Sequence, residues 1–334
     1  MTEVCVQVLK ASYGDCLFVK ISWEGGIFTI MIDGGLKSAY QFKNKQGRLE
    51  AGCLKKKLDE LKNKGRWIDL LIVTHVDRDH IGGVLGWFEN DFPSSDFVRE
   101  IWINDDVEIE DKNCLDNSTG QAVSLISLLI DKRINYRNQI VAGKYHRFGW
   151  GKILVIAPSE THHNAIARDI AERLNNDSED AYKRSIKDYL ADNWEMGPVT
   201  PENDASIALL LQTNEGECDL FLGDANIATV INSIKEEAKK GMIELPLQCK
   251  WVKLSHHGSR NNFRPEFLDV VKAEGYIFST DGTLYQHPDK AVVAQLIGRT
   301  GADLYFNYIG RGRSVFTQQD LLDYPGIMGR IKEI

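Results

Sequence analysis

Four side chains able to bind a metal ion fall within six residues: His75, Asp77, Asp79 and His80, in Thr74-His75-Val76-Asp77-Arg78-Asp79-His80-Ile81-Gly82-Gly83. Imidazole nitrogens and carboxylate oxygens this close together suit a transition metal or a hard divalent cation. The apolar run Ile68-Asp69-Leu70-Leu71-Ile72-Val73 precedes them and reads as a buried strand, being short, continuous and rich in β-branched residues. Past His80, the spacing of Ile81, Val84, Leu85, Trp87 and Phe88 predicts a helix. The four ligands therefore belong to a strand C-terminus and the adjoining helix start, where Gly82 and Gly83 let the helix pack close. The plainer reading is a strand-to-helix turn in which Asp79 is a cap and His75 a satisfied histidine. Four ligands in this order favour the metal.

Other elements must position these groups. Residues 4–9, 16–21 and 27–32 read as three strands joined by turns at Tyr13-Gly14-Asp15 and Glu24-Gly25-Gly26, and the third ends in Asp33-Gly34-Gly35. Residues 51–64 predict a helix with Leu54, Leu58 and Leu61 on one face. A strand at 97–103, an acidic loop at 105–116 and an amphipathic helix at 121–133 follow. The second half reads as strands at 152–157, 206–212, 218–222, 250–254, 276–279, 304–308 and 314–317. Helices at 227–240, 263–273 and 289–299 lie between them. The strand at 218–222 ends in Gly223-Asp224-Ala225, and that at 250–254 leads into Ser255-His256-His257-Gly258-Ser259. Residues 159–204 form a charged insertion with helical stretches at 165–174 and 179–192. It reads as a lid or as a solvated excursion; His162 and His163 within it read as surface residues. Both halves share one plan, strands then a helix with ligands at strand ends, which suggests two stacked sheets with helices outside.

The 334 residues, 43% hydrophobic and 26% charged, are enough for one large domain or two ordinary ones. A net charge of −8 argues against non-specific coating of nucleic acid but leaves room for a local basic groove. Cys5, Cys16, Cys53, Cys114, Cys218 and Cys249 form no CxxC pair, which fits free thiols in a reducing cytosol. The start, Met1-Thr2-Glu3, does not read as a signal peptide, and no run approaches 18 apolar residues. A cytoplasmic protein with no membrane span is expected.

The pattern His75-x-Asp77-x-Asp79-His80, with Asp33 before it and Asp224 and His257 after it, resembles the metallo-β-lactamase superfamily. Aspartate at 77, Asn203-Asp204-Ala205-Ser206, Gly223-Asp224, His256-His257-Gly258-Ser259 and His287-Pro288 are similar to one branch of it. That branch is the metallo-β-lactamase-like domain of the DNA-uptake competence channel protein and its soluble relatives. The resemblance implies an α/β chain, a single four-layer αββα sandwich over residues 1–334 interrupted by the insertion at 159–204. It further implies two divalent ions, Zn²⁺ or Mn²⁺. His75 and Asp77 match the ligands of the first, and Asp79, His80 and His257 those of the second. Asp224 matches a bridging carboxylate, and Asp33 an outer carboxylate that orients ligands. The superfamily's third-motif histidine is absent, Glu202-Asn203-Asp204 standing in its place. One site is then oxygen-rich, which moves preference from Zn²⁺ towards Mn²⁺ or Mg²⁺. Adjacent residues of an extended loop point apart, so one of His256 and His257 is expected to bind. The register favours His257, with His256 and Asn203 as supporting residues.

Such a site activates a bridging hydroxide between ions about 4 Å apart, with Asp79 in the catalytic centre. A phosphodiester suits it, because negative charge is neutralised as it develops. Arg260, Lys290, Arg311 and Arg313 are candidate phosphate contacts, and His287 a candidate acid for the leaving group. The expectation is a metal-dependent phosphodiesterase or nuclease acting on a nucleic-acid strand or a cyclic nucleotide. The alternatives are hydrolysis of another ester, a thioester or a lactam, or a metal-stabilised sensor or interaction module of a multiprotein system, for example a defence system. A protein partner or a second copy fits either scheme.

Overall fold

The computed structural model describes residues 1–104, 118–132, 134, 136–160, 182–197 and 199–334. Two compact units divide the chain, one built on Met1–Ile140 and the other on Val141–Ser159 and residues 182–334. The expected acidic loop at 105–116, Cys114, His162, His163 and the helix at 165–174 lie outside the described residues.

In the first unit, β1 (Glu3–Val8), β2 (Leu17–Trp23) and β3 (Gly26–Ile32) form an antiparallel meander. After the short helix α1 (Lys37–Tyr40) comes a hairpin, β4 (Gln41–Lys43) and β5 (Leu49–Ala51), which the residue pattern did not announce. Helix α2 (Cys53–Asn63) buries the expected Leu54, Leu58 and Leu61. Then β6 (Leu70–Val73) joins the sheet parallel to β3, pairing Ile72 with Ile32. Helix α3 (Arg78–Asn90) is buried continuously from His80 to Phe88, which its apolar residues on every side permit. Parallel β7 (Ile101–Ile103) and α4 (Ser118–Asp131) complete the unit. The sheet order is β1-β2-β3-β6-β7.

The second unit holds an eight-stranded sheet. Antiparallel β8 (Tyr145–Phe148), β9 (Gly151–Ala157), β10 (Ala208–Thr213) and β11 (Cys218–Phe221) form one half. Between β9 and β10 run α5 (Ile186–Ala191) and α6 (Pro201–Asp204). Helix α7 (Ile227–Lys239) follows β11 and leads to β12 (Leu247–Lys253), parallel to β11. Parallel pairing then continues through β13 (Val271–Phe278), β14 (Asp303–Phe306) and β15 (Ile331–Glu333). Helix α9 (Lys290–Arg299) crosses from β13 to β14, preceded in the chain by one helical turn, α8 (Phe267–Val270). The α/β class is thus as expected.

Three expectations fail locally. Residues 263–273 are not one helix: the helical turn ends at β-branched Val270, and Val271 opens β13 by pairing with Leu247, so the sheet takes over. Residues 314–317 are not a strand either. They join α10 (Ile309–Ser314) to α11 (Gln318–Asp323), where Thr317 and Asp320 form a capping box, and the last strand is β15. Nor is the end of the insertion a detachable surface excursion, because Ile186 and Tyr189 of α5 are buried in the core of the second unit.

Cys5, Cys16, Cys53, Cys218 and Cys249 are free thiols, and burial pushes the Cys16 thiol well above its ordinary pKa. Among the described residues, no helix is long and apolar enough to cross a membrane.

Candidate functional site

In the first unit the candidate ligands stand where two neighbouring parallel strands end. Asp33 follows β3 and Thr74-His75 follows β6. Asp33 is fully buried with a left-handed backbone, φ 58°. Its carboxylate accepts from the Thr74 backbone N–H (2.8 Å), the Thr74 hydroxyl (2.7 Å) and His80 Nδ1 (2.9 Å). Three charge-assisted hydrogen bonds compensate a charge that is otherwise expensive to bury. The bond from Nδ1 also fixes the neutral tautomer of His80, leaving the lone pair on Nε2. Thr74 Oγ1 lies 3.0 Å from His75 Nδ1 as well, so Asp33 and Thr74 together orient both imidazoles.

Helix α3 reaches this point through contact of backbone with backbone. Gly34 N–H donates to His80 O (2.8 Å) and Gly83 N–H to Gly35 O (2.7 Å). A Cβ on Gly83 would stand 1.9 Å from Gly34 O, and one on Gly34 2.5 Å from the backbone nitrogen of Val84. Hence the glycines of Asp33-Gly34-Gly35 and of Gly82-Gly83 serve one seam. The Tyr13-Gly14-Asp15 turn closes against α3 too: Asp15 N–H donates to Asp79 O at 3.0 Å, and a Cβ on Gly14 would be 2.3 Å from that oxygen.

His75 Nε2 lies 3.6 Å from Asp77 Oδ2, and His80 Nε2 lies 3.9 Å from Asp79 Oδ2. Both separations exceed hydrogen-bond range. Two ligands roughly 2.0–2.2 Å from one ion are roughly 3.3–3.6 Å apart at the tetrahedral angle, and up to roughly 3.8 Å at 120°. The 3.6 Å separation of His75 and Asp77 falls in that range and fits a divalent ion, while the 3.9 Å of His80 and Asp79 lies just beyond it. Asp15, buried, groups with Asp33 and His80, each offering an atom within 4.8 Å of the others. Sequence reasoning missed Asp15 and Thr74, since the first sits in what reads as a plain turn.

In the second unit the candidates again follow strand ends. Asp224 follows β11, and its backbone N–H donates to Ser206 Oγ at 3.0 Å. His256 and His257 follow β12, but in left-handed conformations (φ 45° and 55°) rather than in an extended loop. His256 Nε2 stands 3.7 Å from Asp224 Oδ2, while its Nδ1 is 3.0 Å from Asn262 Oδ1 and 3.3 Å from Asn203 Nδ2. Burial lowers the His256 pKa from its ordinary value, against the pull of the Asp224 carboxylate. His257 Nδ1–H donates to Ser279 O at 2.7 Å, so its Nε2 carries the lone pair. Asn262 is a third residue the sequence reading missed, being one polar residue among several in Ser259-Arg260-Asn261-Asn262.

His287 is buried, with Nδ1 3.2 Å from Asp289 Oδ1 and its ring 5.3 Å from that of His256. The four candidate cations divide. Lys290 is fully buried and paired with Asp320 at 2.6 Å, so its ammonium serves the fold and is not offered to a phosphate. Arg311 is likewise engaged, donating to His287 O (2.9 Å), to the Tyr182 hydroxyl (2.7 Å) and to Gln286 O. Both depart from the sequence expectation for the same reason: their charges are satisfied within the second unit. Arg260 is half-buried, stacked over Trp194 and donating Nε–H to Glu195 O at 3.1 Å, and Arg313 is exposed.

No family model matches the sequence. No curated protein matches it either. Among solved structures, the chain is similar to a possible metal-dependent hydrolase from Veillonella parvula, 10% identical, TM-score 0.41, over 99% of this chain and 95% of that one. It is also similar to an isothiocyanate hydrolase from Delia radicum gut bacteria, at 13% identity and TM-score 0.42, over 100% and 96% of the two chains. A diphosphatase of the PhnP family is 10% identical with TM-score 0.37, over 92% of this chain and 87% of that one. Likenesses this distant assign no activity and no substrate.

Proposed function

We propose that the chain is a metal-dependent hydrolase that cleaves phosphodiesters, such as a nucleic-acid strand or a cyclic nucleotide. The observation that carries this reading is a repeated one: His75 Nε2 and His80 Nε2 stand 3.6 and 3.9 Å from the Asp77 and Asp79 carboxylates, beyond hydrogen-bond range and close enough to share ions. His75, His80 and His257 each have Nδ1 held by a hydrogen-bonding partner. We take His75, Asp77, Asp79, His80, Asp224 and His257 as ligands of two divalent ions, with Asp33, Thr74 and Asn203 in support. When bound, the ions supply Lewis acidity and a nucleophilic water near neutral pH.

The chain's own residues do the rest. Asp33 holds His80 in the tautomer that presents Nε2. Asp289 orients His287 through Nδ1, so that Nε2 is the atom to pass a proton to the departing alkoxide. Arg260 and Arg313 remain as contacts for non-bridging phosphate oxygens. Three carboxylate ligands favour phosphodiester over lactam or ester chemistry, because such a set accepts Mn²⁺ as readily as Zn²⁺.

The test combines elemental analysis of protein purified without chelators with assays on bis-p-nitrophenyl phosphate, single-stranded oligonucleotides, cyclic nucleotides, nitrocefin and p-nitrophenyl acetate. Two ions per chain and turnover of a phosphodiester are expected. Failure to take up metal after Zn²⁺ or Mn²⁺ reconstitution refutes the reading. Turnover confined to nitrocefin or the acetate ester refutes the phosphodiester part alone.

A further inference from the structure

The histidine pair of the second unit offers more than the single imidazole drawn from it above. His256 and His257 are successive left-handed residues, and Gly258 continues the run at φ 87°. Non-glycine residues so placed are uncommon, and two in succession persist only where their surroundings hold them. Around His256 those surroundings are specific. Buried Asn262 donates Nδ2–H to Asp224 O at 2.7 Å, which settles which end of its amide faces the imidazole. Its Oδ1, 3.0 Å from His256 Nδ1 and nearer than the Asn203 amide nitrogen at 3.3 Å, is the acceptor that decides the tautomer: Nδ1 bears the proton and Nε2 carries the lone pair. The His256 backbone N–H donates to Gly223 O at 3.0 Å, fixing the residue next to the loop that carries Asp224.

The result aims a lone pair at a carboxylate oxygen 3.7 Å away. That distance is too long for a hydrogen bond and suits two ligands of one ion. We propose that His256 is itself a metal ligand, binding together with Asp224, so that both histidines of the pair serve. This rests on the metal-dependent reading given above.

The second unit then offers two histidine donors, His256 and His257, beside Asp224. A second imidazole there moves preference towards Zn²⁺ and away from Mg²⁺.

The experiment titrates the metal-free full chain with Zn²⁺ against a competing chelator, for the wild type and for His256→Asn. Asparagine accepts a left-handed backbone and removes Nε2. Two ions should bind the wild type, and one of them should weaken in His256→Asn by at least about 100-fold, since outer partners of a ligand alone change affinity by 10–100-fold. Asn262→Leu should weaken the same ion by about 10–100-fold. Because His256 lies in a strained turn, the wild type is also read directly, by ¹⁵N NMR of labelled histidines with and without Zn²⁺. The Nε2 resonance of His256 should move to a metal-bound position. Wild-type affinity for both ions in folded His256→Asn, or an Nε2 resonance unmoved by saturating Zn²⁺, overturns this inference and leaves the metal-dependent reading standing. A wild type that takes up no ion overturns both.

Discussion

Replacing Lys290 by methionine separates a structural ammonium from a substrate contact. Its Nζ and the Asp320 carboxylate are both fully buried, 2.6 Å apart. Asp320 also accepts from Ile186 N–H (2.6 Å), Thr317 N–H (2.8 Å) and the Thr317 hydroxyl (2.8 Å). Burial pushes the Asp320 pKa up, but the Lys290 ammonium and these donors more than offset it and hold the carboxyl below its ordinary value. Lys290→Met leaves that carboxylate buried without its cation, a change that costs about 3–5 kcal/mol. At about 2–4 °C per kcal/mol, the second unit should melt about 6–20 °C lower. Adding Asp320→Leu should restore part of the loss, since the orphaned charge goes with it. Below the temperature of unfolding, KM for a phosphodiester should be unchanged in Lys290→Met. Calorimetry and steady-state kinetics on the two variants measure both effects. A loss under about 1 kcal/mol, or a rise in KM with stability intact, would refute the assignment and return Lys290 to the substrate.

Asp219 predicts a pH dependence. Burial raises its pKa from 3.8 to about 7, so stability falls as pH climbs from near 4, where the unfolded chain begins to ionise, to about 7, and is level beyond. Asp219→Asn keeps an acceptor for Trp251 N–H and should flatten that slope in urea titrations, gaining up to roughly 4 kcal/mol at pH 8; an unchanged slope would count against it. Asp33→Asn should lower metal affinity about 10–100-fold in a folded protein, whereas His80→Ala should abolish hydrolysis, both read by chelator competition and turnover; equal effects on metal would mean that Asp33 binds directly. Replacing residues 165–181 by a short flexible linker, while keeping the buried α5, should spare the metals but change the ratio of rates on an oligonucleotide and on bis-p-nitrophenyl phosphate. An unaltered ratio would remove the lid.

Much of this was legible because chemistry and periodicity coincide in the chain. The run 68–73 and the residues Ile81, Val84, Leu85, Trp87 and Phe88 give β6 and α3 at once, and the ligands fall in the joint. Asp33-Gly34-Gly35 reads by itself only as a turn, and Asp33 was singled out through the resemblance; that Thr74 couples it to His75 was not legible, because a threonine after a buried strand has no distinguishing mark. The left-handed backbones of His256 and His257 were hidden for a related reason. Glycine takes that conformation most readily, and histidine only as a minority state, so nothing local marks the two positions; contacts such as Asn262 to Asp224 O hold them in the folded chain. Lys290 and Arg311 misled because a sequence reports a charge but not its partner. Asp320, 30 residues away, and the carbonyls of Gln286 and His287 claim those cations only in the folded chain.

The seam between Gly34 and Gly83 has a consequence for how such a protein can vary. Main chain meets main chain there, with Gly83 N–H on Gly35 O and no room for a Cβ on either side. The interval from Asp33 to His80 is thereby set by peptide geometry, not by the sizes of neighbouring side chains. Substitutions elsewhere in the core of this unit can loosen or tighten the fold while that interval stays the same. Laboratory selection for new substrates should accordingly accumulate changes in loops and at Arg260 or Arg313, and leave the two glycines untouched, because no second-site change can make space where both surfaces are already bare backbone.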